Sequence, residues 1–178
     1  MDEGKGRTRP APSSGHAAPL ALHGESVLPA WIDYNGHMNL AYYVLAFDHA
    51  TDAMFDYLDL GIAYRNRTRK SLFVLEAHVS YDRELAEGDP LRVTTQILDC
   101  DAKRIHYFHR MFHATEGFQA ATNELIGMHI DFADRRSAPM PPEAQARVRA
   151  VMEAHAHLPR PVEAGRVIGI RRRSGTAS

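Results

Sequence analysis

Cysteine is almost missing from this chain: Cys100 stands alone among 178 residues. No intramolecular disulfide can form, so a disulfide-stapled scaffold is excluded and a reducing, cytoplasmic compartment is expected. A dominant charge is also missing. Twenty-one Lys and Arg against 22 Asp and Glu leave a formal net charge of -1, which supplies no field for nucleic acid. No apolar run approaches the ~20 residues of a bilayer-spanning helix, so no membrane partner is expected. The early charges Asp2, Glu3, Lys5, Arg7 and Arg9 run into Pro, Ser, Gly and Ala without an apolar stretch, so no secretory signal is read. Internal repeats are absent.

What is present suits one domain with a real core. Residues 1–23 read as a disordered leader, 24–157 as the folded domain and 158–178 as a C-terminal tail in which Arg171, Arg172 and Arg173 are solvated. A strand is expected from Glu25 into Ile32, with Pro29 at an edge or bulge position. Beyond a polar turn, Tyr43, Phe47, Ala50, Met54 and Tyr57 recur at helical steps. Val44, Leu45, Ala46, Ala53 and Leu58 widen that stripe, predicting a long, mostly buried helix with Gly61 as its C-cap. Asp48, Asp52, Asp56 and Asp59 share one edge of it and read as a solvated face. Four strands are expected at Leu72 to Tyr81, Leu91 to Leu98, Ile105 to Ala114 and Ala120 to Phe132, as an antiparallel meander. Val148, Val151, Met152 and His155 mark a short amphipathic C-terminal helix. A sheet must cover its apolar face and a helix apolar around most of its girth must be wrapped. The pattern therefore predicts an α+β hotdog fold, an antiparallel sheet wrapped around one long central helix.

The turn Asp33-Tyr-Asn-Gly-His-Met-Asn39 concentrates chemistry ahead of that helix. Asp33 is its only carboxylate, and Asn35, His37 and Asn39 add polar side chains at alternate positions. The helix N-terminus beyond it offers unpaired N–H groups and a dipole favouring negative charge, which suits an oxyanion. An ordinary capped turn fits the same residues, with Asn39 as N-cap and Asp33 closing an Asx-turn.

Trp31-Ile-Asp-Tyr-Asn-Gly-His-Met-Asn39, followed by Ala-Tyr-Tyr-Val and Phe47-Asp48, resembles the signature of 4-hydroxybenzoyl-CoA-type hotdog thioesterases. The resemblance runs from about Val27 to Asp131 and includes Phe73-Val-Leu-Glu-Ala-His78 and Ala120-Ala-Thr-Asn-Glu-Leu125. It implies that Asp33 is the general base or nucleophile and that a backbone N–H near Leu40 polarises the thioester carbonyl. The Asn-Gly-His spacing is similar to the Asn-x-His of plant acyl-carrier thioesterases, which brings Asn35 and His37 into the site. Tyr34 departs from the proline frequent after the aspartate in benzoyl-type enzymes. The segment Asp33 to Asn39 with Tyr42-Tyr-Val-Leu-Ala-Phe-Asp-His-Ala-Thr-Asp52 looks more narrowly like the betainyl-CoA thioesterases of carnitine degradation. That likeness implies an acyl-CoA substrate with a trimethylammonium head, for which Trp31, Tyr34, Tyr42 and Tyr43 form an expected aromatic cage.

Glu76 and His78 share one face of their strand. In the resembling family that strand pairs across a homodimer, or within a dimer of dimers, and borders the partner's site. A surface or interface salt bridge fits them equally. His106, His109 and His113 suggest zinc, but in a strand His109 and His113 stand about 13 Å apart, so no metal and no cofactor are expected. Two further readings compete: a hotdog module that binds acyl-CoA without hydrolysing it, and a dehydratase using His49 with Asp48 or Asp52.

Overall fold

Alternating burial along the strands and a helical stripe along residues 40–57 generate the architecture. The computed structural model describes residues 15–170 and contains β1 (Leu20–Ser26), α1 (Leu40–Tyr57), α2 (Ile62–Thr68), β2 (Lys70–Tyr81), β3 (Pro90–Cys100), β4 (Arg104–His113), β5 (Gln119–Asp131), β6 (Arg136–Ser137) and α3 (Pro142–His155). The strands form one antiparallel sheet in the order β1-β3-β4-β5-β2, with β6 paired to β5. On β3, residues 91, 93, 95 and 97 are buried, and on β4 residues 105, 107, 109, 111 and 113. Their face carries α1, whose buried Tyr43, Ala46, Phe47, Ala50, Thr51, Met54 and Phe55 keep the 3.6-residue period. Phe47 stacks on His109 and Phe55 meets Tyr107 edge-on. Each fully buried Phe or Met there contributes roughly 1.5 to 3 kcal/mol of transfer free energy. This is the hotdog arrangement, a curled antiparallel sheet around one long helix.

The structure corrects several expectations. The first strand lies at Leu20–Ser26, not Glu25 to Ile32, because Pro29–Trp31 form a single 3-10 turn instead of extended chain. Leu20–His23, assigned to the leader, belong to that strand; residues 1–14 of the leader, and Arg171 to Arg173, lie outside the described residues. Only β3, β4 and β5 form the expected meander. β2 pairs with β5, since residues 82–89 are too long for a hairpin and fold back across the sheet end, where the Asp82 and Arg83 N–H groups both donate to Ala120 O. Gly61 caps no C-terminus. α1 ends at Tyr57 with Leu58 as its C-cap, Asp59 takes the left-handed turn (φ 54°), and Gly61 is the N-cap of α2. A Cβ on Gly61 would meet Asp56 Oδ1 at 1.8 Å and Asp56 Cα at 3.0 Å, so a larger residue would have to displace the Asp56 side chain from the Ile62 N–H that it accepts. The central helix is also less enclosed than its composition suggests, with Leu40, Val44 and Leu45 exposed.

Candidate active site

Two reverse contacts tighten the turn before α1. The Gly36 N–H donates to Asp33 O, with Gly36 at φ 83°, and the Asp33 N–H donates to His37 O. The Asp33 carboxylate accepts the Asn35 N–H at 2.7 Å, and Asn39 Oδ1 accepts the Ala41 N–H at 3.0 Å. Both features of an ordinary capped turn are therefore present. The turn is also anchored from outside: the Met38 N–H donates to Leu85 O and the Asn39 N–H to Trp31 O. Among the described residues no acceptor meets the Leu40 N–H, the first of the helix. That leaves one backbone donor open where the dipole favours negative charge.

Asp33, Asn35, His37 and Leu40 line one cleft of about 570 Å³ with Met38, Tyr43, Tyr81, Asp82, Arg83 and Glu84. His37 Nε2 lies 3.3 Å from Glu84 Oε2. Tyr43 is buried at the floor, where its hydroxyl oxygen accepts the Leu85 N–H at 3.0 Å. Burial raises its phenol pKa, so it stays protonated and acts as a polar anchor. The exposed Tyr81 stands edge-on to Tyr43 at 5.3 Å, and its hydroxyl donates to Leu40 O. Tyr81 and residues 82–84 come from the end of β2 and the crossover, which no local pattern near Asp33 signals.

The four aromatics expected to form a cage do not converge. Trp31 is buried and lies flat against Tyr42, rings 5.4 Å apart and 12° from parallel, which leaves no gap for a cation between them. Tyr34, 97% exposed, projects into solvent from the tip of the turn. Tyr43 belongs to the core. Tyr81 supplies the cleft's open aromatic face instead. Glu76 and His78 lie on the opposite sheet face, in a separate cleft of about 330 Å³ with His106 and Glu124. Within one chain they do not reach Asp33.

His106, His109 and His113 stay apart. His106 bonds Glu124 at 2.8 Å on the outer face, and His113 Nδ1 accepts the Glu116 N–H. His109 is enclosed between two threonines. The Thr51 hydroxyl donates to Phe47 O, so its oxygen accepts from His109 Nε2, and the Thr95 hydroxyl donates to Nδ1. Burial holds this imidazole neutral, its pKa pushed down to about 3. His49 faces Glu25 of β1 at 3.1 Å, not Asp48 or Asp52, so the dehydratase pairing is not formed. His23 joins the same carboxylate at 2.9 Å. This trio escaped the sequence reading because His23 fell in the supposed leader. The alternation His23-x-Glu25 was the available signal.

The thioesterase-like superfamily model matches residues 27–148, and the chain belongs to that family. It is 41% identical over 151 residues to the betainyl-CoA thioesterase of Pseudomonas aeruginosa, covering 85% of this chain and 95% of that one. It is also 36% identical over 163 residues to the L-carnitine dehydrogenase/betainyl-CoA thioesterase of Rhizobium meliloti, covering 92% of this chain and 33% of that longer protein. Among solved structures, a Staphylococcus aureus hypothetical protein in complex with CoA superposes with a TM-score of 0.81 at 29% identity, over 88% of this chain and 99% of that one. A putative thioesterase of Pseudomonas putida gives 0.76 at 32% identity, over 88% and 100%.

Proposed function

We propose that the chain hydrolyses betainyl-CoA to glycine betaine and CoA, with Asp33 and the N-terminus of α1 as its chemical centre. The observation that carries the reading is 41% identity to a betainyl-CoA thioesterase, over 85% of this chain and 95% of that one. The geometry of the Asp33 turn agrees with it. The thioester carbonyl oxygen lies at the Leu40 N–H, where charge developing on oxygen meets an uncommitted donor and the helix dipole. Asp33 takes a proton from water as the water oxygen adds to the carbonyl carbon, or attacks that carbon itself. The C–S bond then breaks and CoA leaves as the thiolate; where Asp33 has attacked, water then hydrolyses the mixed anhydride it forms, releasing the acid and restoring the carboxylate. Asn35, His37 and Asn39 orient the turn: Asn35 through its N–H, His37 towards Glu84, Asn39 as the helix cap. Tyr81, Asp82 and Glu84 surround the trimethylammonium head.

The reading includes a homodimer, or a dimer of dimers, joined through β2. That strand is twelve residues long, lies at the sheet edge and exposes Phe73, Val74 and Leu75. An open apolar edge of this length is normally covered. Pairing there brings Glu76 and His78 towards the partner subunit's Asp33. The domain then runs from Leu20, and a cytoplasmic location follows from a single cysteine and from the acyl-CoA substrate; no helix of the described residues is long and apolar enough to cross a membrane. A panel of acyl-CoA thioesters assayed for free thiol release tests the proposal. Betainyl-CoA should give the highest kcat/KM. A higher value for a neutral or aromatic acyl group overturns the acyl assignment, and no turnover of any thioester favours a non-catalytic binding module.

A further inference from the structure

A cluster remote from the Asp33 cleft has the chemistry of a metal site. His23 and Glu25 are two apart on β1, so both point to the face that carries α1; their partners across the ladder, Val93 and Leu91, are buried on that face. His49 reaches them from α1. Glu25 Oε1 lies 2.9 Å from His23 Nε2 and 3.1 Å from His49 Nδ1, and Oε2 lies 3.3 Å from the same Nδ1. The two imidazoles stand edge-to-face, 5.7 Å apart. The three ligand atoms fall within 4.8 Å of one another. None of the three residues lines the Asp33 cleft.

We infer that His23, Glu25 and His49 bind one divalent zinc ion. Here two imidazole nitrogens from different elements converge on one oxygen. Zinc bonds of about 2.0 to 2.2 Å to His nitrogen and carboxylate oxygen set ligand atoms about 3.3 Å apart in a tetrahedron. The Glu25 separations match that within a few tenths of an ångström, and the two nitrogens, within 4.8 Å of each other, would close the remaining gap by rotation about side-chain torsions. The site is partly open: the side chains retain 19% (His23), 21% (Glu25) and 39% (His49) of their exposure. Solvent on that side would supply the fourth ligand, water. The mixed N₂O donor set without thiolate suits a borderline divalent ion better than Mg²⁺ or Ca²⁺. The ion would tie edge strand β1 to the central helix, and its contribution is to stability.

The test is zinc binding to the full chain after dialysis against a chelator. Titration calorimetry should give one zinc per chain with a micromolar or tighter Kd, although the chain has eleven histidines. Cobalt in place of zinc should give the intense visible d–d bands of a four-coordinate site. His23→Gln and His49→Gln should each weaken binding at least tenfold and abolish the zinc-dependent rise in melting temperature. His106→Gln should change neither. Wild-type binding no tighter than millimolar, or a cobalt spectrum of octahedral weakness, overturns the inference without reference to any variant. Unchanged affinity in both His23→Gln and His49→Gln overturns it equally.

Discussion

Asn35 donates its backbone N–H to Asp33 Oδ1 over 2.7 Å, so the proposed base is held by the turn that presents it. Among the described residues no hydrogen bond occupies Oδ2. The amide of Asp33→Asn retains an oxygen for the Asn35 N–H but has no carboxylate to take a proton or to attack. The variant should fold normally and lose about 10² to 10⁴-fold in kcat, with KM little changed. Thiol release at saturating substrate measures this. A variant that keeps more than a tenth of wild-type kcat removes Asp33 from the chemistry.

The long elements and the Asp33 turn were legible because both are local. The period of Tyr43, Phe47, Ala50 and Met54 marks a helix, and Asn39 sits where a cap must be. Tyr81 and Glu84 were not legible as site residues. They line the Asp33 cleft only because β2 pairs with β5 and residues 82–89 cross the sheet end, a topological fact that no window of sequence contains. Gly61 misled for a related reason. A glycine after a helix reads as its C-cap, but its actual role is to let the start of α2 pass Asp56. The expected aromatic set does not converge within one chain, because proximity along the chain does not amount to convergence in space. On a helix and its preceding turn, Trp31 and Tyr42 face each other while Tyr34 faces outward.

His109 predicts an acid-labile fold. Its folded pKa, pushed down to about 3 by burial, lies below the 6.5 of an exposed imidazole. Between those values the unfolded chain binds a proton that the folded chain does not, so stability rises with pH across the window. The contribution is fully present above about pH 6.5 and is lost as pH falls towards 3, with a slope of at most about 1.4 kcal/mol per pH unit for one group. Burial depresses His129 and His155 in the same direction. Urea unfolding followed from pH 7 to pH 4 should show the decline, and His109→Gln, though less stable throughout, should show a shallower one. An unchanged slope in that variant would place the acid sensitivity elsewhere.

Leu75, 57% exposed at the centre of the β2 edge, tests the dimer. A lysine there puts a charge against the partner strand of the proposed dimer, a device that natural edge strands use against pairing. Leu75→Lys should run as a monomer by light scattering at micromolar concentration, with the wild type at twice that mass or more. If Glu76 borders the partner subunit's Asp33, activity should fall along with the dimer. A wild-type chain that is a stable, fully active monomer refutes the arrangement.

Acyl selectivity can be read against a neutral twin of the substrate. Replacing the trimethylammonium of betainyl-CoA by tert-butyl gives a thioester of nearly the same shape without the charge. In the proposed binding mode the cation would lie beside the open ring of Tyr81, with the carboxylates of Asp82 and Glu84 lining the same cleft and the Arg83 guanidinium held over the Phe118 ring at 3.6 Å. A cation over an aromatic face gains roughly 0.5 to 2 kcal/mol, and 1.4 kcal/mol is about tenfold. The twin should therefore lose about one order of magnitude in kcat/KM, and a larger loss would mean that the carboxylates add to the ring. Tyr81→Leu should bring the two substrates closer together by lowering kcat/KM for betainyl-CoA more than for the twin. Equal turnover of both thioesters by the wild type would show that the charge is not recognised, and the acyl group would then have to be sought among neutral short chains.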